Sequence, residues 1–164
     1  MKRRSSTFGV GLAVGLFGLG SVLLGSSQAF APRQPTASAT CPVCGMKVAP
    51  FPDWIAQVVF ADDRTLFFDG AKDLFRYLLE RPRYAPDLQD PEVAAVFVTS
   101  YYDGTWIGAE EAFYVIGSDV RGPMGPELVP FATSDESEEF LRDHGGKRIV
   151  RFAEVTNEVL SLLD

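Results

Sequence analysis

IAQVVFADDRTLFFDGAKDLFRYL, residues 55–78, contains the change of period that sets the fold class. Ile55–Phe60 alternates and ends in a β-rich run, Asp62 and Asp63 mark a turn, and Thr65–Phe68 returns; together they predict a hairpin. From Ala71 the spacing becomes helical, with Ala71, Leu74, Phe75 and Leu78 at i, i+3, i+4 and i+7. Asp69 stands where a helix N-cap belongs, and Pro82 stops the helix. A tight hairpin feeding directly into a helix predicts an α+β fold built on antiparallel strands.

Downstream, Pro82–Pro91 carries three prolines and reads as a linker. Val93–Thr99 (VAAVFVT) reads as a buried strand, Tyr102–Gly104 as a turn and Ala112–Ile116 (AFYVI) as another strand. A Gly/Pro loop, GSDVRGPMGP at 117–126, leads into a short strand at Glu127–Phe131, whose Pro130 implies an edge. Thr133 and Glu136 have the spacing of a capping box for a helix running through Glu138–Asp143, ended by Gly145 and Gly146. Ile149–Phe152 reads as a last strand and Thr156–Leu163 as a terminal helix. FFDG at 67–70 and PFAT at 130–133 hold matching places, a Phe-ended strand before a capped helix. The chain therefore divides into two small related units of antiparallel strands plus a helix, residues 41–82 and 92–164.

Upstream, Lys2, Arg3 and Arg4 precede an uncharged run of 17 residues, Gly9–Gly25, and then small residues up to Ala31. That order is an export signal over residues 1–31; the run is short and glycine-rich for a membrane span, and if uncleaved it would act as a tether. Residues 32–40 (PRQPTASAT) read as a flexible leader. The 164-residue chain carries 15 Lys and Arg against 22 Asp and Glu, a net charge of −7. Cleavage after Ala31 would remove three basic residues and no acids, leaving −10 on 133 residues. Such a balance excludes a nucleic-acid binder, which needs a basic face. An apolar content of 46% supplies a core.

Chemistry is concentrated in very few residues. The chain has two Cys, three Met and one His; apart from Met1 these are Cys41, Cys44, Met46, Met124 and His144. Cys41 and Cys44 in CPVC can face one point from a turn. A closed zinc site lacks four Cys or His ligands, and a thioredoxin-type redox pair lacks the helix it needs, because Gly45, Pro50 and Pro52 follow. A disulfide in an exported chain is the plain alternative. Met46 and Met124 sit in Gly/Pro loops instead of apolar faces, so burial does not account for them. Thiolate plus thioether is the donor set that selects Cu(I), and an acidic chain attracts a cation. Cys44 and Met124 are the expected ligands, with Cys41 and Met46 as nearby donors. His144, beside a helix C-terminus, reads as a helix-end residue. No P-loop, G-x-G-x-x-G or nucleophilic triad is present, and no enzymatic activity is expected.

CPVCGM from Cys41, PDWIAQVVF from Pro52 and FFDGAKDLF from Phe67, followed by YVIGSDVRGPMG from Tyr114 and LVPF from Leu128, resemble the NosL family of nitrous oxide reductase accessory proteins. The resemblance runs from about Cys41 to Thr156. It implies a two-unit α+β fold similar to organomercurial lyase, and an extracytoplasmic, periplasmic Cu(I) chaperone. The implied partner is a copper-accepting client, nitrous oxide reductase with its multicopper centre, or its maturation factors. It carries the copper ligands onto Cys44 of CGM and Met124 of GPMG. Two departures stand out: no lipobox precedes Cys41, and Pro126 occupies the position where many members have a His after GPMG. The first unit also resembles small metal-binding domains of the YHS/TRASH type, without their second Cys pair. The alternatives to copper delivery are a periplasmic metal-binding module without that client and a structural domain closed by a Cys41–Cys44 disulfide.

Overall fold

A computed structural model describes residues 30–86 and 91–164. The export signal expected over residues 1–31 lies outside the described residues except for Phe30 and Ala31. In chain order the elements are β1 (Ala56–Phe60), β2 (Thr65–Phe68), α1 (Ala71–Leu79), α2 (Arg81–Tyr84), β3 (Val93–Thr99), β4 (Trp106–Gly108), β5 (Phe113–Ile116), β6 (Arg121–Gly122), β7 (Gly125–Pro126), β8 (Val129–Phe131), α3 (Ser134–Asp143), β9 (Arg148–Arg151) and α4 (Asn157–Ser161). They form a four-stranded sheet ordered β2-β1-β3-β4, a three-stranded sheet ordered β8-β5-β9 and the two-stranded ribbon β6-β7. All pairings are antiparallel, and the fold is α+β as expected. Among the described residues no helix is long and apolar enough to cross a membrane.

The hairpin forms where the change of period predicted it. Val58 pairs with Leu66 and Val59 with Thr65. The turn closes with the Phe60 amide donating to the Arg64 carbonyl at 2.9 Å. Asp63 takes φ 70°, a left-handed conformation that Asp tolerates better than most residues. β1 lies between β2 and β3, and all five of its residues are buried.

One core joins the two sheets. Val58 and Phe60 of β1, Phe68 of β2, Leu74 and Tyr77 of α1, Tyr114 of β5, Val150 of β9 and Leu160 of α4 share it. The alternation of a strand puts the neighbouring residues on the opposite face: Val115 joins Val129, Phe131 and Phe140 in a second, smaller cluster under α3. β5 is therefore covered on both faces, by the main core and by α3. Pro130 lies in β8, at the edge of its sheet, where a missing amide does no harm.

Several expectations are corrected. Pro82 does not end α1; the helix stops at Leu79 with Glu80 as its C-cap, and Pro82 is the second residue of α2, a position that suits its fixed φ. The sheets do not divide at the proline-rich stretch: β3 and β4 join β1, so the change of sheet falls between Gly108 and Phe113. The 32–40 stretch is tied down. The Arg33 amide donates to Gln57 Oε1 at 2.7 Å, its guanidinium pairs with Asp63, and Thr40 bridges Lys47.

α3 begins with the capping box its sequence announced: the Thr133 hydroxyl accepts from the Glu136 amide at 3.3 Å, and the Glu136 carboxylate accepts from the Thr133 amide at 3.0 Å. Thr133→Ala removes one of these bonds and is expected to lower stability by about 1 kcal/mol. Urea unfolding would read this as a shifted midpoint at constant slope.

Candidate metal centre

The site is built on a loop that closes on itself. The Cys41 amide donates to the Met46 carbonyl at 2.8 Å and the Gly45 amide to the Cys41 carbonyl at 2.9 Å, with Gly45 at φ 78°. A positive φ is the reason for glycine between Cys44 and Met46. Folding back in this way turns both thiols toward the start of α1. Both cysteines are free; Cys41 is buried and Cys44 half-buried.

Two carboxylates meet them there. Cys41 Sγ donates to Asp73 Oδ2 at 3.4 Å and Cys44 Sγ to Asp69 Oδ1 at 3.2 Å. One donor atom from each of Cys41, Cys44, Asp69 and Asp73 lies within 4.8 Å of the others. Asp69 is 1% exposed and its Oδ2 has no partner. Asp69 is therefore not the helix cap it was expected to be. The N-cap position falls on Gly70, without a side-chain bond, while the Asp69 carboxylate is turned to Cys44. Asp69 stands just before the Gly70 N-cap and Asp73 in the first turn of α1, four residues apart in the sequence. That spacing was the available signal, and a count of Cys, Met and His alone passes over it.

The electrostatics keep both sulfurs protonated when no cation is bound. Burial pushes the Cys44 thiol up to about 11; Asp73 and Asp69 add to this, and the Met46 amide opposes it. Burial pushes Cys41 higher still, with Asp73 again adding to it. Two thiols facing two carboxylates could hold a cation, which would displace thiol protons on binding.

Met124 meets α1 through its backbone carbonyl. It sits in the turn between β6 and β7, and its side chain is 40% exposed. Its carbonyl accepts from Lys72 Nζ at 2.9 Å, and Lys72 lies in the first turn of α1 between Asp69 and Asp73. The ribbon is thus docked on the helix turn that carries the carboxylates. Met46 is half-buried in the cysteine loop, and its backbone bridges to Cys41. His144 lies elsewhere. It is the C-cap of α3, pairs through Nδ1 with Asp119 at 3.0 Å and stacks on Phe140 at 4.3 Å, the helix-end role expected for it.

The family model described as NosL matches residues 32–160. The chain is 32% identical over 140 residues to the copper-binding lipoprotein NosL of Achromobacter cycloclastes, covering 82% of this chain and 72% of that protein. It is 30% identical over 131 residues to the copper-binding lipoprotein NosL of Stutzerimonas stutzeri, covering 73% of this chain and 63% of that one. The crystal structure of the copper chaperone NosL from Shewanella denitrificans superposes with a TM-score of 0.63 at 28% identity, over 78% of this chain and 99% of that one.

Proposed function

We propose a copper-carrying function on one premise: this chain belongs to the NosL family. Its cargo is Cu(I), and its work is carriage and delivery, with no catalytic turnover. The observation that carries the reading is the pair of free thiols turned onto the α1 turn against which the Met124 ribbon is docked. Thiolate and thioether together favour a soft monovalent ion over harder competitors.

Cys44 and Met124 hold the ion, and Cys41 and Met46 are the donors that can join them. Asp69 and Asp73 supply negative charge behind the sulfurs. Cys44 is the more exposed thiol and Met124 lies at the surface, so the ion is held at an accessible edge. A client can then take it by ligand exchange, its own thioether or imidazole donors entering as Met124 leaves. The client we propose is nitrous oxide reductase, for its multicopper centre, or a maturation factor acting for it. Delivery takes place outside the cytoplasm, in the periplasm, after export directed by residues 1–31; relatives named as lipoproteins support a membrane-held form.

The test is transfer. The reduced chain should take one Cu(I) in competition with a chromogenic chelator, and the loaded chain should restore activity to copper-free nitrous oxide reductase. No Cu(I) uptake overturns the reading. Uptake without transfer to that enzyme or its maturation factors leaves the copper-binding module without this client.

A further inference from the structure

The β6-β7 ribbon has two paired positions, Arg121 with Pro126 and Gly122 with Gly125. So small a ladder cannot fix its own place, yet it carries Met124. What holds it is a pair of buried polar side chains. Lys72 is 3% exposed and Glu127 2% exposed. Lys72 Nζ donates to the Met124 carbonyl at 2.9 Å and to the Leu163 carbonyl at 3.3 Å. Glu127 Oε1 accepts the Lys72 amide at 2.6 Å and the Leu128 amide at 2.9 Å.

The Glu127 carboxylate also fills a slot between two glycines. A Cβ at Gly122 would lie 2.9 Å from Glu127 Oε2, and one at Gly70 would collide with the same oxygen. Gly70 belongs to the turn that leads into α1, and Gly122 belongs to β6. The carboxylate therefore sets the distance between the segment bearing Asp69 and the ribbon bearing Met124. Burying two ionisable side chains is costly unless they are bonded, and burial pushes the Glu127 carboxyl up to about 8; three of the four bonds tie Lys72 to Glu127, to the Met124 turn and to the chain end, and the fourth is the neighbouring Leu128 amide.

We infer that Lys72 and Glu127 are positioning residues that hold the Met124 turn in register with the cysteine-bearing pocket. The backbone of Met124 is fixed through its carbonyl while its thioether stays free to meet the ion. This rests on the reading of Met124 as a ligand. The plain competing role is helix capping alone, because Glu127 accepts an amide of the first turn of α1.

A double-mutant cycle separates the two. Lys72→Leu removes the donor without bringing a second thioether to the copper site. It is expected to weaken Cu(I) binding by about 10- to 100-fold, the range for groups that orient metal ligands, and to remove one sulfur from the copper shell seen by X-ray absorption. In a Met124→Ala background the same change should move affinity by no more than about twofold, since its effect passes through Met124. Gly122→Ala leaves Lys72 and Glu127 in place but sets a methyl 2.9 Å from Glu127 Oε2 and so displaces the ribbon. It should give the same loss of one sulfur in a chain that folds even where Lys72→Leu does not.

Full addition of the Lys72→Leu and Met124→Ala effects overturns the inference. So does an unchanged sulfur count in both Lys72→Leu and Gly122→Ala. If Met124→Ala alone leaves affinity and sulfur count unchanged, the ligand reading fails first and the positioning role falls with it.

Discussion

Cys44→Ser weakens Cu(I) binding by at least about 100-fold, the share of one ligand when a complete metal site supplies roughly 10–16 kcal/mol. Of the two thiols, Cys44 is the one an arriving ion meets first, since Cys41 is 2% exposed behind it. Serine matters in the choice of variant. Cys44 Sγ donates to Asp69 Oδ1, and Asp69 Oδ2 already lacks a partner. Alanine would leave a buried carboxylate with neither oxygen satisfied, which destabilises the apo chain and confounds the comparison. A serine hydroxyl keeps a donor for Asp69 and removes only the soft, anionic sulfur. Chelator competition on Cys44→Ser beside Cys44→Ala therefore divides the loss of sulfur from the loss of the hydrogen bond. Affinity retained by Cys44→Ser would remove Cys44 from the ligand set.

What the sequence disclosed and what it withheld follow the range of the interactions. The β1-β2 turn, the Thr133 cap and the edge position of Pro130 depend on residues a few places apart, and each stands where the local pattern put it. β4 has three residues and the β6-β7 ribbon two on each side, too few to leave a period. The proline-rich stretch looked like a boundary, yet β3 returned to pair with β1, because strand pairing is decided by the faces that need covering. Asp69 shows the same limit at the site. A local rule made it a cap; the folded chain gave a first-turn amide of α1 to Glu127, 55 residues beyond Lys72, and left Asp69 to meet a thiol from 25 residues upstream. The thiols and Met124 were legible as soft donors in odd places. The acids that meet the thiols were not, because acidic residues are common at helix starts and only tertiary contact distinguishes these two.

Apparent Cu(I) affinity rises by about tenfold per pH unit for each thiol proton displaced, or about 100-fold between pH 6 and pH 8 for one thiol. The direction follows from the two end states. With no ion bound, burial and then the carboxylates beside it hold the Cys44 proton on sulfur up to about pH 11. In the complex the sulfur is a thiolate. The step is a thiol plus Cu(I) giving a copper thiolate and a proton released to solvent, so lowering the proton concentration drives loading and acid drives release. The slope has structural content, because Cys41 is held protonated more strongly than Cys44. A slope of one means that Cys44 alone gives up its proton and the remaining donors are neutral, Met124 first among them. A slope of two makes Cys41 a full ligand. We expect one, since ionising Cys41 would place a second negative charge on a nearly inaccessible sulfur beside Asp73. The measurement is the competition titration repeated across pH, with the competitor's own proton dependence subtracted. A flat profile would mean that the ion binds without displacing a thiol proton, and the thiolate site would have to be abandoned.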